Sequence, residues 1–200
     1  MLIAFEGGEG SGKSTQARLL AERLGAVLTH EPGATAIGAR TREIVLDPAA
    51  DIDPRAEALL LAADRAQHVA EVIGPALAKG DDVVTDRYLY SSIAYQSFGR
   101  GLDRQAVRAL SAFAGAPEAD LVLLITVSPE TRATRLKATP DRIESADGGF
   151  HDRVEQGFRA LAEADPHRWV VIDGNGTVDE VAARVWEAVS GQWGHNAVPS

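Results

Sequence analysis

The sequence predicts an α/β fold: a three-layer αβα domain around a five-stranded parallel sheet. Three observations lead there. Short apolar, β-branched stretches alternate with longer segments whose apolar residues recur at helical spacing. The first stretch, Leu2–Phe5, runs straight into a glycine-rich loop and then a helical pattern. The 200 residues, 45% hydrophobic and 24% charged, suit one α/β domain at residues 1–190 with its own core.

In chain order, Leu2–Phe5 reads as a buried strand and Ser14–Leu24 as a helix. Ala26–Thr29 is a short second strand. Pro54–Lys79 is a long Ala/Leu-rich helix stopped by Gly80. Val83–Thr85 is a third strand and Asp103–Ala114 a further helix. Leu121–Val127 is an unbroken apolar run, the pattern of a strand buried on both faces. Ser128-Pro129 gives an N-cap and a first-turn proline for a helix to Lys137. Residues 138–149 are polar and end in two glycines, which suggests a small mobile lid. Phe150–Ala164 (helix), Trp169–Ile172 (strand) and Val178–Val189 (helix) complete the pattern, and 191–200 reads as a flexible tail.

Composition excludes several functions. With no cysteine, disulfides, thiol catalysis and Cys-based zinc sites are ruled out. A net charge of −9 argues against a dedicated nucleic-acid binder, which needs basic surface to displace counterions. The start lacks the basic lead of a signal peptide, and no run approaches the roughly 20 apolar residues of a membrane span. The expected location is cytoplasmic, with no membrane or nucleic-acid partner.

The strongest chemical signal is Gly7-Gly8-Glu9-Gly10-Ser11-Gly12-Lys13-Ser14, which fits G-x-x-x-x-G-K-[ST] between a strand and a helix. Glycines let successive backbone N–H groups point inward as an anion nest, and the helix behind adds its positive end. Lys13 can reach the β- and γ-phosphates of a nucleotide, and the Ser14 hydroxyl can ligate Mg²⁺. Lysine is scarce: Lys13, Lys79 and Lys137 are the only ones, so one at the required position is informative. No Asn-Lys pair exists for guanine reading, which leaves a small kinase as the simplest P-loop reading.

A second cluster, Asp86-Arg87-Tyr88, follows the third strand, at the sheet edge where α/β proteins bind ligands. A carboxylate there can hold Mg²⁺ and an arginine can fork onto a phosphate. Tyr88, Tyr90 and Tyr95 are all the tyrosines of the chain, either a core cluster or a pocket lining. Taken alone, Arg65 is a solvated helix charge and Glu31-Pro32-Gly33 an ordinary turn.

Together these residues resemble the thymidylate kinase family of P-loop nucleoside monophosphate kinases, from about Leu2 to Val189. The markers are FEGGEGSGKSTQ at Phe5–Gln16, HEPGATAIG at His30–Gly38, ADRAQH at Ala63–His68, DRYLYSSIAYQSFGR at Asp86–Arg100 and DRIE at Asp141–Glu144. The resemblance implies transfer of the ATP γ-phosphoryl group to dTMP with Mg²⁺, in a homodimer. It implies that Gly7 through Thr15 hold ATP, with Arg135 on the adenine and Ser14 and Asp86 on the metal. Arg87 would take the dTMP phosphate, with Glu9 and Glu31 shaping that site. Arg65 would bond the thymine carbonyl, with Gln96 or Ser92 completing the base edge and Tyr95 against the deoxyribose. Lys13, Arg87 and the lid's Arg142 would be the catalytic cations, because Gly10 stands where some members carry an arginine.

The chain departs from the family pattern at four places. Leu61 replaces a base-stacking phenylalanine, Ala34 a glycine of EPGGT and Ser97 a glycine after AYQ, and Gly148 and Gly149 stand where an acidic residue is common. If residue 34 needs a positive φ, alanine costs about 1 kcal/mol there. Two other functions stay open: a paralogous kinase for another nucleoside monophosphate, motivated by Leu61, and a non-catalytic nucleotide sensor.

Overall fold

The structure, a computed structural model, describes residues 1–136 and 140–193. Its centre is one five-stranded, wholly parallel sheet in the order β2-β3-β1-β4-β5. The strands are β1 Leu2–Glu6, β2 Val27–His30, β3 Val83–Asp86, β4 Leu121–Thr126 and β5 Trp169–Asp173. Each sequence-expected strand is present. Connections from β1 lead to one side of the sheet and those from β3 to the other, so a crevice opens at the carboxyl edge beside β1.

Alternation along β1 assigns the two faces. Ile3 and Phe5 join Ala17, Leu20 and Ala21 of α1 (Lys13–Leu24) and Val181, Val185 and Val189 of α9 (Val178–Trp193) in one core. Leu2 and Ala4 face a larger core on the other side, with Phe150, Val154, Phe158 and Leu161 of α8 (Gly148–Ala164). The long helix expected from Pro54 is three coaxial pieces: α3 Pro54–His68, a π-helical turn Val69–Ile73, and α4 Gly74–Ala78. Arg104–Phe113 forms α6, and Pro129–Arg135 forms α7 behind its Ser128 cap.

Two helices escape the sequence reading. In α2, Ala36–Leu46, the buried positions are Gly38, Thr41 and Val45, while Ile37 and Ile44 point outward, so the apolar pattern marks the wrong face. The second is α5, Leu89–Ser92, continued by a π-helical turn Ile93–Gly99. Nearly all of it is buried, and a helix covered all round has no amphipathic period to detect. The expected lid also differs. Gly148 and Gly149 begin α8 behind an Asp147 N-cap that accepts from Phe150 N–H, and 141–146 form turns. Residues 138 and 139 of that lid lie outside the described residues. In the expected tail, 191–193 continue α9 and 194–200 lie outside the described residues.

Ala34 carries no positive φ; the left-handed backbone falls on Gly33, φ 115°, so alanine costs nothing there.

Helix α8 lies against Ile93–Gly99 at a close approach. A Cβ on Gly157 would stand 2.8 Å from the Phe98 ring and 2.9 Å from Phe98 Cβ. Glycine to alanine in an open helix interior normally adds about 1 kcal/mol of stability. Here we expect Gly157→Ala to lower stability by about 1–3 kcal/mol from overpacking, read by urea unfolding.

Candidate active site

The loop after β1 turns so tightly that only glycine fits at its entry. Gly7 has φ 137°, and a Cβ there would lie 2.3 Å from the Ile125 carbonyl oxygen. Gly12 caps α1 with φ 93°. Lys13 folds back over this loop, 6% exposed, donating from Nζ to the Gly8 carbonyl at 2.8 Å and Ser11 Oγ at 3.4 Å. Burial pushes its pKa down to about 8, helped by repulsion from Arg87 and opposed by Glu9, Asp86 and Glu6.

Arg87 faces Lys13 from the end of β3. It is the one non-glycine residue with positive φ among the described residues, 67°, an uncommon backbone that aims its side chain back across β1. Its guanidinium donates to the Gly7 carbonyl, Ser91 Oγ and Tyr95 Oη, each at 3.1 Å, and forms an ion pair with Glu9. That pairing drives the Glu9 pKa down to about 2 against the opposing effect of burial. Sequence reasoning passed over Glu6, the last residue of β1. It is wholly buried and accepts from the backbone N–H of Tyr88 and Ser91 and from Ser91 Oγ, capping α5. Burial raises its pKa to about 7.

Asp86 accepts from Ser14 Oγ, while its other oxygen, Oδ1, is buried with no partner among the described residues. A hydroxyl and an orphaned carboxylate oxygen beside a phosphate loop suit a hard divalent cation, and Mg²⁺ commonly takes one or two protein oxygens plus substrate phosphates.

These groups border one cleft of about 600 Å³, which reaches from Lys13 to Arg65, Leu61 and Gln96. Arg65 is not a solvated charge. It is 3% exposed, giving Nε to Glu31, Nη1 to Ser111 and Nη2 to Ser92, with Nη2 also ion-paired to Glu31. Three of its five N–H groups make hydrogen bonds, so an Nη1 N–H remains for a ligand. Glu31 therefore orients Arg65 and is itself braced by His68 Nδ1 at 2.9 Å. His68 Nε2 sits 2.6 Å from Thr29 Oγ1. Since a carboxylate only accepts, Nδ1 carries the proton toward Glu31. His68, Ser111 and Thr29 were missed as contributors; each is an ordinary core residue until the fold gathers them.

All three tyrosines belong to the core; Tyr90 donates to Glu118, while Tyr88 and Tyr95 also border the cleft, Tyr95 between Arg87 and the Phe150 and Phe158 rings. Arg135 borders the cleft beside the P-loop, donating to the Gly174 and Gly176 carbonyls and more weakly to Ser11. Arg142 is placed away from the phosphate loop: its Nε donates to the Val45 carbonyl at 2.8 Å and its Nη2 pairs with buried Glu57.

Comparison with known proteins shows the family. The thymidylate kinase family model matches residues 5–185. A thymidylate kinase from Synechococcus sp. is 49% identical over 94% of this chain and 94% of the relative. One from Deinococcus radiodurans is 46% identical over 95% and 96%. The crystal structure of thymidylate kinase from Ehrlichia chaffeensis superposes with TM-score 0.80 at 32% identity, covering 95% of this chain and 98% of that one.

One pH dependence follows. With burial lowering the Lys13 pKa to about 8, ATP affinity should hold steady well below that pH and weaken above it as the ammonium is lost. Arg87→Ala removes the repulsion and should move the inflection to higher pH; ATP titrations from pH 6 to 10 without acceptor, on both proteins, check it. The cleft, the cation pair across it and the relatives together place this chain in the thymidylate kinase family.

Proposed function

We propose that this protein transfers the γ-phosphoryl group of ATP to the phosphate of dTMP, giving ADP and dTDP, with Mg²⁺. The observation that supports it best is that one cleft is lined by Lys13 and Arg87 together with Arg65 and Gln96. Relatives found by comparison are named thymidylate kinases, which leaves the paralogous kinase and the sensor without support.

In this reading the P-loop from Gly7 to Thr15 wraps the triphosphate, and Lys13 exchanges its Gly8 carbonyl for phosphate oxygens. Arg87 exchanges part of its Glu9 pairing for the acceptor phosphate, and Glu9 keeps that guanidinium aimed before substrate arrives. The acceptor oxygen attacks the γ-phosphorus in line, the bond to the ADP oxygen breaks, and the fixed cations meet the charge on the equatorial oxygens. Ser14 and Asp86 would hold Mg²⁺, which offsets charge on the phosphates when bound. Arg135 offers a braced guanidinium plane for the adenine. Ser92 acts through Arg65, and Tyr95 lies where the sugar passes. Leu61 covers the base with aliphatic contact. Large exposed side chains on α2, α3 and α6, namely Ile37, Ile44, Leu59 and Phe113, support a homodimer. Among the described residues no helix is long and apolar enough to cross a membrane, and the reading places the reaction in the cytoplasm.

Tested on a panel of monophosphates with ATP and Mg²⁺, dTMP should be phosphorylated fastest; another acceptor winning at equal concentration would falsify the substrate. Arg87→Ala should raise the KM for dTMP by about tenfold or more. Arg142→Ala should act mainly on dTMP KM through its Glu57 contact. A fall in kcat alone would instead show that Arg142 reaches the phosphoryl group during turnover.

A further inference from the structure

Glu57, in the first turn of α3, is fully buried although it carries a carboxylate. Its Oε1 accepts from Gln96 Nε2 at 2.9 Å and from Arg100 Nε at 3.2 Å. Its Oε2 accepts from Arg100 Nη2 at 3.1 Å and from Arg142. Burial alone would push its pKa up, but the bonds from Arg100, Gln96 and Arg142 outweigh this and hold it below the usual value.

An ionised carboxylate has no proton to donate, so Gln96 must turn its NH₂ toward Glu57. The other end of that amide, Oε1, is then fixed as an acceptor. It is buried without a partner among the described residues, an arrangement uncommon unless a ligand completes it. Gln96 borders the same cleft as Arg65, which keeps an Nη1 N–H free to donate.

An acceptor beside a donor matches the N3–H and C4=O of a 4-oxo pyrimidine. Cytosine presents the reverse, a bare N3 and a 4-amino group. We propose that Glu57 is a positioning residue for base specificity: by pinning the Gln96 amide it selects an N3-protonated, 4-oxo base and rejects a 4-amino one. Arg100 and Arg142 serve the same end by keeping that carboxylate charged. This rests on the base lying between Arg65 and Gln96.

The test is Glu57→Gln, whose amide can donate and so lets the Gln96 amide reverse. The ratio of kcat/KM for dTMP over dCMP should fall by about tenfold or more, through a higher dTMP KM and a gained dCMP rate, with ATP KM unchanged. A proportionate loss on both acceptors means that Glu57 is only structural and overturns the proposal. Gln96→Leu, assayed alongside, separates the two readings. If it leaves the ratio untouched, the base lies elsewhere and the site reading fails first. If it lowers the ratio and Glu57→Gln does not, only the positioning role fails. Should Glu57→Gln not fold, a dTMP-bound structure of the unmutated protein decides. Thymine N3 within hydrogen-bond distance of the Gln96 amide end turned away from Glu57 supports the proposal, and N3 on the end facing Glu57, or beyond reach, overturns it.

Discussion

Two cations, buried Lys13 and half-buried Arg87, are held close together at the carboxyl edge of β1 and β3, and the rest of the site exists to tolerate that. In an interior of low dielectric such a pair repels, and that repulsion adds to the burial that lowers the Lys13 pKa. The surrounding anions compensate: Glu9 pairs with Arg87, Asp86 stands beside Ser14, and Glu6 sits wholly buried under both. A chain of net charge −9 can therefore build a local anion trap. The trap is not a permanent positive surface, since each cation meets a protein oxygen.

The far end of the cleft uses a different device. Arg65, Glu31, His68 and Thr29 form one buried chain, and Glu57, Gln96, Arg100 and Arg142 another. Buried ion pairs are weak contributors to stability, because desolvation offsets most of the attraction. What they provide here is direction. A guanidinium with most N–H groups committed and an amide with one end pinned can present a single pattern to a flat ring.

These two devices shared different fates in the sequence reading. Lys13, Ser14, Asp86 and Arg87 announce themselves because phosphate chemistry demands specific residues at fixed spacing along one stretch of chain. The residues that aim Arg65 come from β2 and the turn after it, α3, α5 and α6, far apart in sequence, and none is unusual where it stands. Arg142 shows the converse: a motif arginine expected at the phosphates is held by Glu57, a residue with no motif of its own. Helix α2 was hidden because its buried stripe is Gly38, Thr41 and Val45 rather than an apolar one.

What the sequence determined by itself is whatever short-range spacing encodes: the strands, the phosphate loop, the amphipathic helices and the class of chemistry. Tertiary structure alone decided which charges meet. Whether a carboxylate shapes a phosphate site or braces an arginine, and which way an amide points, depends on partners 30 to 90 positions away. Desolvation selects among those partners, and it acts only once the chain has closed around them.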